Sequence, residues 1–322
     1  MDDRSKGLSV EAHGIAADHR DTTDLGHADG TPGEARDMDV LILGCGYSGR
    51  AIGERLGLAG ATVRGTTRSP GKADALRVRG IEPVAFDGEH ASGEVDAALA
   101  DATHLIVSIA PGRASDPAMA LHGEAIKRAP RLEWLAYLST VGVYGDHDGA
   151  WVDEDTVPRP VSQRSRERVE AENLWMTLAL ERGCPITVMR LSGIYGPGRS
   201  PLDNVRAGTA RRLVKQGQVF NRIHVGDIAG ATELAARSAT NAILNVTDDE
   251  PAPPQDVVAY AAELLGVEPP PEQDFETADL TPMARSFYGE TKRVSNARLR
   301  SMGYDLRYPT YREGLRAVLE AG

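Results

Sequence analysis

Six consecutive residues carry the clearest chemistry in this 322-residue chain. Gly44-Cys45-Gly46-Tyr47-Ser48-Gly49 is a G-x-G-x-x-G set between the apolar run 39–43 and an amphipathic stretch at 47–58. That order reads as strand, turn and helix, the setting in which such glycines bind a dinucleotide. Gly44 permits the tight turn, Gly46 lets the backbone approach a pyrophosphate, and Gly49 allows close helix–strand packing. The helix N-terminus turns unpaired N–H groups and a positive dipole end toward the phosphate. Tyr47 and Ser48 complete the cradle, and Arg50 adds charge just inside the helix. Cys45 reads as a small filler, because nothing nearby would activate its thiol.

The nucleotide is decided about 20 residues further on. An NAD site places Asp or Glu there for the ribose 2′-hydroxyl. Residues 55–72 contain no acid; they contain Arg64, Arg68 and Lys72, with Thr66, Thr67 and Ser69 as hydroxyl donors. Arg68 stands 19 residues after Gly49, and a guanidinium grips a 2′-phosphate with two parallel hydrogen bonds. The expected cofactor is therefore NADP rather than NAD. Asp87 is expected to accept from the adenine amino group, and Ser108 joins the cofactor set.

These residues need a scaffold. Apolar or β-branched runs at 39–43, 62–67, 83–86, 104–108, 134–139, 185–191 and 242–246 alternate with helical stretches, one of them long, at about 163–182. Continuous apolar strands separated by helices mean a parallel sheet covered on both faces. The expected fold is α/β, a doubly wound parallel Rossmann sheet of about seven strands with a smaller C-terminal substrate lobe. Residues 38–200, completed by about 222–250, form the nucleotide-binding domain; 201–221 and 251–322 form the lobe. Helices are expected near 203–216, 227–238, 255–265 and 311–320.

Composition narrows the function. Lys and Arg number 36 against 47 Asp and Glu, a net charge of −11. An acidic surface repels nucleic acid and anionic membranes, so neither is an expected partner. No apolar run reaches the ~18 residues of a membrane span, and no signal peptide opens the chain. The two cysteines, Cys45 and Cys184, suit a reducing cytoplasm. Residues 1–37 hold nine acidic and four basic residues and no aromatic one, so they read as a disordered acidic tail. His13, His19 and His27 within it fit no compact ligand set, and no metal is expected. Met38 sits directly before the first strand, so either it is the natural start or the tail is dispensable.

The fifth strand and its exit, Leu138-Ser139-Thr140-Val141-Gly142-Val143-Tyr144-Gly145, resemble the S-S/T-x-x-V-Y-G segment of extended short-chain dehydrogenases/reductases, the NAD(P)-dependent epimerase/dehydratase family. Three further segments match in the same order: 190–198, like R-x-x-x-x-Y-G-P-G; 223–229, like I-H-V-x-D-hydrophobic-A; and 245–251, like the seventh-strand exit. The resemblance covers about 39–322. It implies a nucleotide at the carboxyl edge of the sheet and a Ser or Thr that hydrogen-bonds the substrate oxygen, here Thr140. It also implies a Tyr that moves the proton and a Lys four residues on that lowers its pKa and holds the nicotinamide ribose. Members are often dimers, which makes a homodimer the expected assembly.

The chain departs from the pattern at that pair. Aligning Glu172 with the family's helix glutamate puts Arg164 at the Tyr and Arg168 at the Lys. An arginine stays protonated, so Arg164 cannot be a general base. Arg168 is expected at a ribose hydroxyl or phosphate, and Arg164 at an anionic substrate; the alternative is a solvated charged face. A literal Y-x-x-x-K at Tyr288–Lys292 falls in the C-terminal lobe, where its expected use is lining the substrate mouth. Of Tyr144, Tyr195 and His224, Tyr144 is the best-placed proton carrier; His224 reads as structural. Arg199 and Arg222, with Arg211 and Arg212 nearby, point to an anionic small molecule, sugar-nucleotide-like in family terms.

Two functions fit: an NADP-dependent oxidoreductase or epimerase acting on a hydroxyl or carbonyl with an atypical proton donor, or a non-catalytic NADP-binding sensor or scaffold. Hydrolytic and zinc chemistry lack G-x-S-x-G, H-E-x-x-H and C-x-x-C motifs.

Overall fold

The seven apolar runs pair into one sheet in a computed structural model that describes residues 38–112 and 115–321. The expected acidic tail and its three histidines lie outside the described residues. The strands are β1 (Asp39–Leu43), β2 (Thr62–Thr67), β3 (Glu82–Ala85), β4 (His104–Val107), β5 (Trp134–Thr140), β6 (Ile186–Leu191) and β7 (Ala242–Val246). Their order is β7-β6-β5-β4-β1-β2-β3, and every neighbouring pair is parallel.

Alternate side chains of a strand leave opposite faces of the sheet, and here both faces are buried. Val40 and Ile42 of β1 enter one core with Ile52, Leu56 and Trp134. Leu41 and Leu43 enter the other with Leu105, Tyr137 and Trp175. That two-sided burial is why the strands read as unbroken apolar runs. The long helix Gln163–Arg182 closes the second face with Ala171, Trp175, Leu178 and Ala179. The Ser162 hydroxyl caps its start by accepting from the Ser165 N–H, and Gly183, at φ +67°, ends it.

The strand order reverses between β1 and β4, so the loops after them diverge and leave a crevice at the carboxyl edge. Three short parallel pairs stand outside the main sheet, and the first of them lines this crevice. Gly193–Tyr195 pairs with Arg222–His224, Arg212–Val214 with Glu272–Asp274, and Trp151–Val152 with Arg293–Val294. The helix expected at 203–216 is shorter. It runs Pro201–Arg206, the chain turns at Gly208 (φ +66°), and Arg212–Val214 becomes a strand.

Candidate functional site

The glycine cradle has the geometry its spacing requires. Gly44 sits at φ +89°, and a Cβ there would stand 2.7 Å from Ile109 Cγ1. A Cβ on Gly49 would meet the Gly44 carbonyl oxygen at 2.8 Å, so helix and turn pack as closely as glycine allows. At Gly46 a Cβ would find only one atom, 4.0 Å away; it would project into open space where a ligand's phosphates approach. The helix Tyr47–Leu58 starts at Gly46 with no side-chain cap and no acid in its first turn. Its leading N–H groups are left for an anion. These features fit a dinucleotide pyrophosphate.

At the end of β2, Arg68 is exposed and makes no hydrogen bond or ion pair among the described residues. Arg64, from the same basic run, is engaged elsewhere: it donates to the Ala98 carbonyl and pairs with Glu82 and Asp101. Thr67 Oγ1 accepts from the Ser69 N–H at 3.4 Å, and Arg50 Nε donates to the Gly46 carbonyl at 3.3 Å. Asp87, expected at adenine, is half-exposed and held within its own turn. Its carboxylate accepts from the N–H groups of Glu89 and His90 and bonds His90 Nδ1 at 2.8 Å. These bonds within its own turn hold the carboxyl well below the usual range.

One cleft of about 1400 Å³ runs from the cradle to residues late in the chain, among them Lys292 and Tyr311. Gly44, Gly46, Tyr47, Ser48 and Ser108 line one part; Thr140, Arg164, Arg168, Arg199 and Arg222 line the rest. Thr140 Oγ1 accepts from the Gly142 N–H at 3.1 Å, which leaves its hydroxyl proton available to donate. Arg168 Nη1 donates to the Leu138 carbonyl at 2.5 Å, and its guanidinium lies 5.9 Å from the Tyr137 ring centre. Arg199 lies over the Tyr47 ring at 5.6 Å, and the Tyr47 hydroxyl donates to the Pro197 carbonyl. Arg211 and Arg212 lie outside the cleft lining: Arg211 bonds Gln273 and the Asp279 carbonyl, and Arg212 pairs with Glu272.

The proton-carrier expectation for Tyr144 fails on geometry. A 3-10 turn, Val141–Tyr144, follows β5 and directs this side chain inward beside Val143, Val152 and Val294. Its hydroxyl, fully buried, donates to Asn245 Oδ1 at 2.7 Å. Burial pushes its pKa up, away from any use as a base. Tyr195 is likewise unfit: its hydroxyl is buried against Gly314 with no partner among the described residues, and burial raises its pKa. His224 caps the helix Val225–Arg237 by accepting from the Gly226 N–H through Nδ1. Burial brings its pKa down to about 4.

The motif sequence of the fifth strand conceals a buried network. Ser139 Oγ donates to Glu172 Oε1 at 2.5 Å, and Arg190 grips the same carboxylate through Nε and Nη2 at 3.2 and 2.8 Å. The arginine also lies 4.9 Å from the Tyr144 ring centre. This ties β5, the long helix and β6 together directly behind Thr140.

This constellation of cradle, Thr140 and Ser139–Glu172–Arg190 bracing coincides with a recognised sequence family, whose model matches residues 40–247. The chain belongs to the NAD dependent epimerase/dehydratase family. It is 29% identical over 284 residues to Protein YeeZ of Escherichia coli K12, covering 84% of this chain and 96% of that one. A solved structure of a functionally unknown conserved protein from Silicibacter pomeroyi is 47% identical, with a TM-score of 0.79 over 88% of this chain and 98% of that one. The UDP-glucose 4-epimerase of Thermus thermophilus, solved with NAD, shares the fold at 23% identity and a TM-score of 0.70, covering 87% and 97%.

The cleft lining also takes in residues that the sequence did not single out, Asn221, Ser286 and Tyr311 among them, and Glu290 from the segment expected at the substrate mouth. Lys292 lines the cleft, with Nζ donating to the Gly145 carbonyl and to Glu290 Oε2, both at 2.7 Å. Its motif partner Tyr288 turns away and packs on Phe220 and Phe275. Among the described residues no His, Cys, Asp and Glu group could hold a metal ion, and no helix is long and apolar enough to cross a membrane.

Proposed function

We propose that this chain is an NADP-dependent oxidoreductase or epimerase that acts on a hydroxyl or carbonyl of a small anionic substrate. The observation that carries the reading is the continuity of one cleft from the glycine cradle past Thr140 to Arg164, Arg168 and Arg222. The phosphate chain would lie on Gly46 and the first turn of Tyr47–Leu58, and Arg68 would take the 2′-phosphate. The bound cofactor supplies hydride transfer at its nicotinamide. Thr140 donates to the substrate oxygen, Arg168 serves a ribose hydroxyl or phosphate, and Arg164 and Arg199 face the substrate's charge. With Tyr144 buried, water admitted to the cleft carries the proton. A cytoplasmic homodimer without nucleic-acid or membrane partners completes the proposal.

Fluorescence titration with NADPH and NADH tests the cofactor assignment. NADPH should bind more tightly, and Arg68→Ala should weaken NADPH alone, by roughly 10- to 100-fold, the worth of a charged bidentate contact. Tighter NADH binding would overturn it. Turnover on a panel of carbonyl and sugar-nucleotide compounds, with Thr140→Ala as control, tests the chemistry.

A second reading, an NADP-binding sensor or scaffold, is favoured by one observation. The helix position that carries the family's tyrosine holds Arg164, and both nearby candidate phenols, Tyr144 and Tyr195, are buried. NADPH binding without hydride transfer across the panel would select it.

A further inference from the structure

One wall of the cleft, drawn from residues 219–222, 257, 286–292 and 311–315, holds Arg222 as its one guanidinium among largely apolar side chains, with Asn221, Ser286 and the Lys292–Glu290 ion pair in the same lining. Arg222 comes from the short strand Arg222–His224. Its Nη1 donates to the carbonyl oxygens of Phe220 and Ala252 at 2.9 and 3.1 Å, which fixes the plane of the group. Nε and Nη2 have no hydrogen-bond partner among the described residues, and the half-buried Arg222 lines the cleft. The same lining includes Val219, Phe220, Val257, Phe287, Tyr311 and Leu315.

Arg222 forms no ion pair among the described residues, and its charge is set by burial and by the groups around it. The groups acting most strongly on Arg222 are Asp248 and the phenols of Tyr311, Tyr195 and Tyr288; none is a cation. Asp248 is 1% exposed, with Oδ1 accepting from the Glu250 N–H and Oδ2 without a partner. Burial pushes its carboxyl well above the usual range even with Arg222 nearby.

We propose that Arg222 holds the carboxylate of a substrate whose remaining body is apolar or aromatic, and that this wall does not hold the diphosphate of a nucleotide sugar. The inference rests on the reading of the cleft as a substrate site. Nε and Nη2 form the side-on fork of a guanidinium, whose two parallel N–H bonds match the two oxygens of a carboxylate. In an apolar setting one anion is stable against one cation, whereas further negative charge needs further compensation. A diphosphate would meet one guanidinium with a carboxyl group beside it. The rings and aliphatic side chains on this wall suit a hydrocarbon body.

The test is calorimetric titration of the full chain, with and without NADP⁺, using 4-phenylbutanoate, its neutral amide 4-phenylbutanamide, phenyl phosphate and UDP-glucose. The expected result is at least tenfold tighter binding of 4-phenylbutanoate than of the amide. Arg222→Gln should erase that preference, and Arg222→Lys, which keeps the charge without the fork, should restore part of it. Circular dichroism checks folding of both variants, and the acid-against-amide comparison needs no variant. Equal binding of acid and amide, or no binding of the acid by 10 mM, overturns the proposal. So does an unchanged preference in a folded Arg222→Gln. Tighter binding of phenyl phosphate overturns the choice of carboxylate, and tighter, Arg222-dependent binding of UDP-glucose restores the nucleotide sugar. Loss of NADPH binding in the unmodified chain would sink the proposed function while leaving an acid preference intact, so the two failures are distinguishable.

Discussion

Glu172→Gln should cost this protein more stability than most single substitutions, and the reason is electrostatic. The carboxylate and Arg190 have side chains only 2% and 3% exposed. The substitution keeps the volume and one acceptor oxygen but removes the charge, so Arg190 becomes a buried cation with no counter-ion. Its Nη1 already lacks a partner, which leaves no alternative bond to strengthen. Removing one member of a buried pair costs about 3–5 kcal/mol, and the retained oxygen argues for about 3 kcal/mol. That is roughly a 150-fold change in the folding constant, or about 6 °C in Tm for a body of this size. Urea unfolding followed by tryptophan fluorescence measures it. The companion Arg190→Met and the double variant close a cycle, and the double should cost at least 2 kcal/mol less than the two singles together. A loss below 1 kcal/mol in Glu172→Gln, or simple additivity, would refute the argument.

Three further outcomes follow from local geometry. Gly44→Ala should lose about 2 kcal/mol or more in a urea titration, because φ +89° and the Ile109 contact both oppose a Cβ. For His224, the folded pKa of about 4 lies below the ordinary 6.5, so the unfolded chain binds the extra proton between those values. Its contribution is present above pH 6.5 and declines as pH falls toward 4, by about 3 kcal/mol at most. His224→Asn keeps a capping acceptor, so a stability–pH slope unchanged in that variant would refute the assignment. The Cys45 thiol, pushed up to about 12 by burial, should resist iodoacetamide at pH 8 in the native chain; native-state labelling as fast as in urea would contradict it.

The central strands were legible because they are buried on both sides. The G-x-G-x-x-G set was legible because steric demands on Gly44 and Gly49 are local. Tyr144 misled because a single 3-10 turn, invisible to strand periodicity, reverses the direction of a side chain four residues past Thr140. Glu290 and Lys292 line the cleft, as expected for their segment, but their bonds were not legible. Lys292 reaches the carbonyl of Gly145, 147 residues away in sequence, and no spacing rule encodes a contact made by tertiary packing. The helix expected at 203–216 failed for a local reason, a glycine turn at Gly208 that apolar periodicity could not outweigh. Asp87 shows a third kind of limit: its position was readable from β3, but its bonds to the neighbouring backbone N–H groups and His90 were not.

The uncapped start of the helix Tyr47–Leu58 couples the nucleotide to the fold itself. A ligand that satisfies those N–H groups binds the folded chain and not the unfolded one, so its free concentration enters the folding equilibrium. At a hundred times its Kd it adds about 2.7 kcal/mol. Within a cell, the lifetime of such a chain against proteolysis would then rise and fall with the nucleotide pool, and its abundance would record cofactor supply whether or not it turns over a substrate.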